Sequence, residues 1–542
     1  MSGLSRRRFV AGSALLGGAG ILGAGTAVAA PDEGTTPGPM APTFGPVVVT
    51  PSDARYPELT TAFNRRWQGK PDSVQLVGST EQVALAVGLA IYNNQRVAVR
   101  SGGHCYADFV YNNQAQVVID LSLMNAVYFD SARNAFAVEA GTRLGDMYEA
   151  LFRGYGVTLP GGHCPSVCVG GHVTGGGHGL LSRKFGLITD FIQAVEMVVV
   201  DRNRSVNIVV AERNGANSDL WWAVSGGGGG NFGIITKYWF RTPTAIGSGP
   251  GAALPRPPTN VLVANHVIPW SQLTEDQFTN LVANLGSFFE NNSAPTSPYA
   301  ALSSVLTIPH RSSGDLSFIT QVDATVPNAA QLMANYHNTL LANTGVSAEI
   351  PFRTIPWMAA TETINTATPL IETNATFRNA VKSAYVAKGF SSTQIAAIYR
   401  NMVRTDYSNA LPALLQIGAM AGGMINATPQ TATPIAYRHS VLLAFFNVYW
   451  VDAKDDPVHQ RWIRDLYSQT FAATGGVPAP NGANEGCTIN LPDLDMADPA
   501  INTSGVPWQT LYYGVNYPRL QQVKAVWDPT NFFRHSMSIT AL

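Results

Sequence analysis

Gly161-Gly162-His163-Cys164-Pro165, running on through Gly170-Gly171-His172-Val173-Thr174-Gly175-Gly176-Gly177-His178-Gly179, is the stretch on which the fold turns. Glycine at this density lets the backbone adopt positive φ and approach a ligand closely, and successive N–H groups can cradle a pyrophosphate. Two further loops share this character. Arg100-Ser101-Gly102-Gly103-His104 follows a strand-like run, and Gly226 to Gly230 leads into Asn231-Phe232-Gly233-Ile234-Ile235-Thr236. A single such loop could be an ordinary turn or a low-complexity linker. Three of them, flanked by strand-like sequence and two carrying a His-Cys dipeptide, point to one binding pocket.

Working outward, Val74 to Val77, a helix from Thr80 to Tyr92 with Thr80 as its cap, and Arg96 to Arg100 read as strand, helix and strand. Strands at Ala115 to Asp120 and Ala135 to Glu139 follow, then a helix from Leu144 to Gly154. Ile192 to Asp201 and Ser205 to Val210 form a hairpin around Asn203. The Pro/Gly/Ala stretch Thr242 to Pro258 marks a boundary. Beyond it, Val261 to Val263, Leu302 to Leu306, Phe318 to Val322 and Val441 to Val451 alternate like strands, among helices at Glu275 to Glu290 and Ala329 to Ala342. The expected class is α+β: a two-part binding domain over 45–245, a substrate domain with an antiparallel sheet backed by helices over 246–500, and an aromatic-rich closing segment over 501–542 that returns to the first domain.

The N-terminus reads as an address. Arg6, Arg7 and Arg8 precede the uncharged run Ala11 to Val28, which ends in Ala27-Val28-Ala29, so residues 1–30 are expected to be a twin-arginine-like export signal. The run is too short and too glycine-rich to favour a membrane anchor. Residues 31–44 read as a flexible leader. With 46% hydrophobic and 13% charged residues the 542-residue chain is globular. Its net charge is −1, and losing the signal's three arginines leaves −4, which disfavours nucleic acid as a partner. Four cysteines make no disulfide scaffold in a chain of this length.

Several chemistries are disfavoured on the motifs. No acidic residue follows a Gly-x-Gly-x-x-Gly in the manner of a Rossmann unit, and no Gly-Lys-Ser/Thr phosphate loop occurs. Zinc is the competing reading of Cys105, Cys164, Cys168 and the neighbouring histidines, but paired Cys-x-x-Cys knuckles are missing.

Taken together, Arg-Ser-Gly-Gly-His, Cys-Pro-Ser-Val, Gly-Gly-His-Val-Thr-Gly-Gly-Gly-His-Gly and Gly-Gly-Gly-Asn-Phe-Gly-Ile-Ile-Thr resemble the berberine-bridge-enzyme-like branch of the flavin oxidases. Those enzymes share the FAD-binding fold of vanillyl-alcohol oxidase and p-cresol methylhydroxylase. Tyr513-Gly514-Val515-Asn516-Tyr517-Pro518-Arg519-Leu520 and Trp527-Asp528-Pro529-Thr530-Asn531-Phe532-Phe533 resemble the same branch's closing signature. The resemblance implies an FAD held by Arg100, Ser101, Gly102, Gly103, Gly170, Gly171, His172, Gly175, Gly176, Gly177, Gly179, Asn231, Gly233, Ile234, Asn516 and Tyr517. It also implies bicovalent attachment, through His104 at the 8α-methyl carbon and Cys164 at C6. Cys168 is expected only to pack.

The implied activity is oxidation of a hydroxyl-bearing small molecule (a glycosylated antibiotic, polyketide or carbohydrate), with O2 as acceptor, H2O2 as product and the enzyme secreted. Tyrosines that the family often uses as bases are replaced by Thr488, Leu491 and Ala421. The candidate catalytic residues are therefore Tyr106, Tyr513 and Tyr517, with His163 as a further proton acceptor. The missing tyrosines leave open a second reaction, oxidation of a hydroquinone or oxidative ring closure. A secreted protein that only binds a drug or sugar is a third reading, which the joint presence of His104 and Cys164 disfavours.

Overall fold

The computed structural model describes residues 45–366 and 376–542; the expected signal and leader, residues 1–44, lie outside them. Three sheets organise the described residues. The first comprises β1 (Val47–Val49), β2 (Ser73–Leu76), β3 (Val97–Arg100) and β4 (Val117–Asp120) in the order β1-β2-β4-β3. Strands β2, β4 and β3 are parallel, whereas β1 pairs antiparallel on the edge. Parallel pairing demands a crossover, and the helix Thr80–Tyr92 supplies it between β2 and β3. Ser79, not Thr80, caps that helix: its side chain accepts a hydrogen bond from the Gln82 amide, while Thr80 has moved into the first turn.

The second sheet comprises β5 (Val127–Asp130), β6 (Ala135–Glu139), β7 (Ile192–Val200), β8 (Val206–Glu212) and β9 (Ile234–Phe240), antiparallel in the order β5-β6-β9-β7-β8. The β7–β8 hairpin closes where expected. Asp201 Oδ1 accepts from the amides of Asn203 and Ser205 at 2.8 Å each, and Arg204, not Asn203, takes the left-handed conformation (φ 60°). The expected helix after β6 spans Leu144–Tyr155 and ends on Gly156 in the left-handed region.

The third sheet is wholly antiparallel. It holds β10 (Asn260–Ile268), β11 (Leu302–Pro309), β12 (Leu316–Asp323), β13 (Phe352–Pro356), β14 (Arg378–Val386), β15 (Ala413–Gly418), β16 (Leu442–Trp450) and β17 (Asn484–Gly486), ordered β13-β10-β12-β11-β15-β16-β14-β17. Helices Glu275–Asn291, Ala329–Leu340, Ser392–Val403 and Asp456–Thr470 belong to the same region. Sequence alternation picks out β10, β11, β12 and β16 but not β14, because eight of its nine residues are buried and polar Asn379, Lys382 and Ser383 lie among them. Lys382 is tolerated there because Asp493 (2.6 Å) and Asp495 (2.7 Å) both accept from its ammonium.

The fold is thus α+β, an FAD-binding arrangement of the vanillyl-alcohol oxidase type with an antiparallel sheet backed by helices.

Candidate active site

Glycine loops and sheet face meet around one cavity of ≈ 450 Å³. Its first wall is backbone. Arg100 ends β3 and pairs with Asp120, its register partner on β4, which fixes the start of the loop. Gly103 (φ 75°) then turns the chain back over that guanidinium: a Cβ there would stand 3.0 Å from Arg100 Nε. Ser101 donates to the Ala140 carbonyl (2.6 Å), to which the Gly170 amide also donates (2.9 Å), tying the first glycine loop to the second.

Inside this wall, His104 stacks on Phe63 (4.8 Å between centroids) and hydrogen-bonds the Ser166 backbone. Cys164 lies with Sγ 3.5 Å from Ser166 Oγ. Two side chains sixty residues apart in sequence therefore converge on one serine. Burial first, and the nearby Arg100 charge second, bring the His104 imidazole down to about 4. It is a neutral ring with a lone pair, the state a covalent bond to carbon requires.

Burial also lowers His172 to about 3 and His178 to about 4. His172 Nε2 accepts from the Gly162 amide (2.9 Å), clamping the Cys164 loop against the helix Val169–Thr174.

The opposite wall consists of side chains from the third sheet at every second position: Leu414, Gln416 and Gly418 on β15, Leu443, Phe445, Asn447 and Tyr449 on β16, and Val305 on β11. Asn447 Nδ2 donates to Tyr449 Oη (2.8 Å), and Gln416 Nε2 donates to Thr307 Oγ1 (3.3 Å). Asn447 Oδ1 is buried and without a partner among the described residues, an acceptor held for a ligand donor. Such a polar stripe in a largely apolar pocket suits a ligand carrying several hydroxyls.

At the other end, His535 stacks on Phe109 (3.8 Å) and hydrogen-bonds the Gly229 backbone of the third glycine loop. Apolar Val97, Val99 and Ile234 line the cavity as well. The glycine cradle and the neutral His104 fit a flat, phosphate-bearing cofactor such as FAD.

Of the residues expected from sequence, Ser101, Gly102, Gly103, His104, Tyr106, Cys164, Gly170, Gly171, His172, Asn231, Gly233 and Ile234 line this cavity, as does His163. Arg100 does not; it stands behind the loop, engaged with Asp120. Gly175, Gly176, Gly177 and Gly179 also lie behind the lining, where space forbids a side chain. A Cβ on Gly179 would sit 1.8 Å from the Gly161 carbonyl, one on Gly175 2.2 Å from Asn490 Oδ1, one on Gly177 2.4 Å from Ile188, and one on Gly176 2.9 Å from Tyr437 Oη.

Tyr513 is likewise away from the cavity: its buried hydroxyl donates to the Gly227 carbonyl (3.0 Å). Tyr517 reaches Thr540 (3.2 Å), and Asn516 donates to the carbonyls of Gln430 and Thr433. These three residues pin the closing segment and touch no cavity surface, so only Tyr106 remains of the three candidate tyrosines. It stands edge-on to Phe63 and Phe445.

Thr488 and Ala421 are fully buried and off the lining, whereas Leu491 faces in beside Asn490. The sheet-borne Gln416, Asn447 and Tyr449, together with His178 and His535, are lining residues the motifs do not single out for the ligand. For Asn447 and Tyr449, an i, i+2 polar pair on β16 is the signal that could have found them, whereas Gln416 stands alone among apolar neighbours on β15.

Comparison with known proteins agrees with this geometry. Family models described as FAD binding domain and as berberine and berberine like match residues 71–202 and 489–540. Aclacinomycin-N/aclacinomycin-A oxidase of Streptomyces galilaeus is 42% identical over 545 residues, covering 99% of this chain and 98% of the relative. Among solved structures, CrmK, a flavoenzyme involved in shunt product recycling in caerulomycin biosynthesis, superposes with a TM-score of 0.89 at 43% identity. It covers 92% of this chain and 100% of its own. The glycopeptide hexose oxidase DBV29, solved with teicoplanin, gives 0.87 at 41% identity over the same shares. With a relative this similar along its whole length, and with the flavin cradle in place, the chain belongs to the berberine-bridge-enzyme-like FAD-linked oxidoreductases.

Proposed function

We propose that the protein is an exported oxidase that removes two electrons from a hydroxyl group of a glycosylated antibiotic, polyketide or carbohydrate and delivers them to O2 as H2O2, on an FAD attached through both His104 and Cys164. The observation that carries this reading is the convergence of His104 and Cys164 on Ser166, opposite the polar stripe of Gln416, Asn447 and Tyr449. Relatives named for oxidation of aclacinomycin and of glycopeptide hexoses support the substrate class. Residues 1–30 support export.

Bound FAD supplies the two-electron acceptor. The chain's own residues do the rest. The glycine loops hold the cofactor by backbone, and two tethers would fix its ring and raise its electron affinity. The stripe orients a polyhydroxylated ligand, while Phe63, Phe445 and Leu491 keep water from the reacting carbon. A second reaction, oxidation of a hydroquinone or ring closure, is favoured by one observation. Thr488 is buried and bonded to Tyr437 (3.3 Å), so it offers no base to an unactivated alcohol.

Acid precipitation of the purified protein tests the tethers. The pellet stays yellow in the wild type and in each of His104→Ala and Cys164→Ala, and turns white in the double variant. A white wild-type pellet would exclude covalent attachment. Peroxide release on a panel of hexoses, oligosaccharides, glycosylated polyketides and hydroquinones then separates the two reactions.

A further inference from the structure

His178 stands at the cavity edge with a line of hydroxyls behind it. Its Nδ1 is 3.2 Å from Tyr385 Oη; Tyr385 stacks on Tyr437 with centroids 3.6 Å apart and planes within 5°, and the two hydroxyls are hydrogen-bonded. Tyr437 Oη in turn donates to the Gly175 carbonyl (3.3 Å). Both rings are buried in a small apolar cluster with Met420 and Leu443, themselves cavity-lining.

A carbonyl only accepts, and this sets the direction of the whole line. Tyr437 spends its one hydroxyl proton on Gly175, so it accepts from both Thr488 (3.3 Å) and Tyr385. Tyr385, having donated forward, accepts from His178. Nδ1 of His178 must then carry the ring proton, which leaves Nε2 as a bare acceptor. The backbone of His178 abuts Gly162, two residues before Cys164, since a Cβ on Gly162 would lie 3.4 Å from the His178 carbonyl.

We propose that His178 is the proton acceptor for the substrate hydroxyl, standing in for the absent tyrosines, and that Tyr385 and Tyr437 are positioning residues that fix its tautomer. This rests on the hydroxyl-oxidase reading above. In the step, the substrate O–H proton goes to His178 Nε2 while the adjacent C–H hydrogen leaves as hydride with its electron pair to FAD, giving a carbonyl. The pair, that hydrogen and the proton held by His178 then leave with O2 as H2O2. Burial pulls the imidazole down to about 4, so the ring is neutral before substrate arrives, at a cost to its basicity that its placement at the cavity must offset.

Two measurements on the holoenzyme decide it. Nitrogen-15 NMR of labelled histidine, assigned by His178→Gln, is expected to show His178 protonated at Nδ1 in the wild type and shifted towards the Nε2-protonated form in Tyr385→Phe, a change that loose packing alone would not produce. Anaerobic flavin reduction by a hydroxyl substrate from the panel above is expected to slow about 100-fold in His178→Gln, with the acid-stable colour retained, and about 10-fold in Tyr385→Phe.

An Nε2-protonated His178 in the wild type overturns the proposal. So does a wild-type reduction rate in His178→Gln, or a loss that appears in His163→Gln instead. Should the wild type oxidise nothing on the panel, the hydroxyl-oxidase reading fails, while the tautomer still judges the line of hydroxyls on its own.

Discussion

The two walls of the cavity are built on opposite principles. On the flavin side, function comes from what is missing: loops over 101–104, 161–179 and 226–233 discard side chains so that backbone can approach backbone and ligand. On the sheet side, backbone is consumed in the antiparallel ladder, and function comes from side chains projected at every second residue of β15 and β16. The first wall cannot accept an atom without moving; the second can exchange side chains while its frame stays put. A family that keeps its cofactor and changes its substrate needs this division.

Adding one methyl to each wall is the sharpest way to break the comparison. Gly179→Ala puts a carbon 1.8 Å from the Gly161 carbonyl, where only backbone movement can relieve it. A loss of about 3 kcal/mol is expected, with poor flavin content. Gly418→Ala on the sheet wall meets nothing closer than Met420 at 3.5 Å, so its thermal midpoint should stay within about 1 °C or rise slightly, while substrate KM changes. Equal losses in thermal unfolding of the two variants would end the distinction.

Behind the sheet wall, Lys382→Met leaves Asp493 without its buried cation and is expected to cost about 3 kcal/mol in denaturant unfolding. It should also loosen the segment that brings Asn490 and Leu491 to the cavity.

The flavin wall is further distinguished by its histidines. His172 falls to about 3 in the folded protein against 6.5 when free, so the unfolded chain takes up the proton first. Stability is therefore fully present above pH 6.5 and lost as pH falls towards 3, by up to about 1.4 kcal/mol per pH unit for this group. His172→Gln, which can still accept from Gly162, should flatten the thermal midpoint between pH 6.5 and 4.5. An unchanged slope would show that the ring is not held neutral.

The smallest effect belongs to the stripe. Asn447→Ala is expected to raise KM about 10-fold, corresponding to one hydrogen bond of about 1.4 kcal/mol, with kcat, acid-stable colour and thermal midpoint near those of the wild type. A fall in kcat with constant KM would instead place Asn447 in the chemistry.

How legible each wall is follows from the same division. Glycine loops, the Leu144–Tyr155 helix and the β7–β8 hairpin are local, and the sequence carries them within a residue or two. Tyr513 and Tyr517 mislead because an aromatic closing segment looks the same whether it reaches the ring or, as here, locks Gly227 and Thr540 in place. β14 hides because it is buried on both faces and pairs its lysine with acids more than a hundred residues downstream.

Sequence alone therefore determined the cofactor wall: closeness of backbone requires glycine, glycine clusters are visible at a glance, and His104 and Cys164 sit inside them. Only the tertiary structure decided the substrate wall and the direction of its hydrogen bonds. Gly175, His178, Tyr385, Tyr437 and Asn447 are scattered over more than 270 positions, and no periodicity in one segment encodes which hydroxyl, two strands away, will face it.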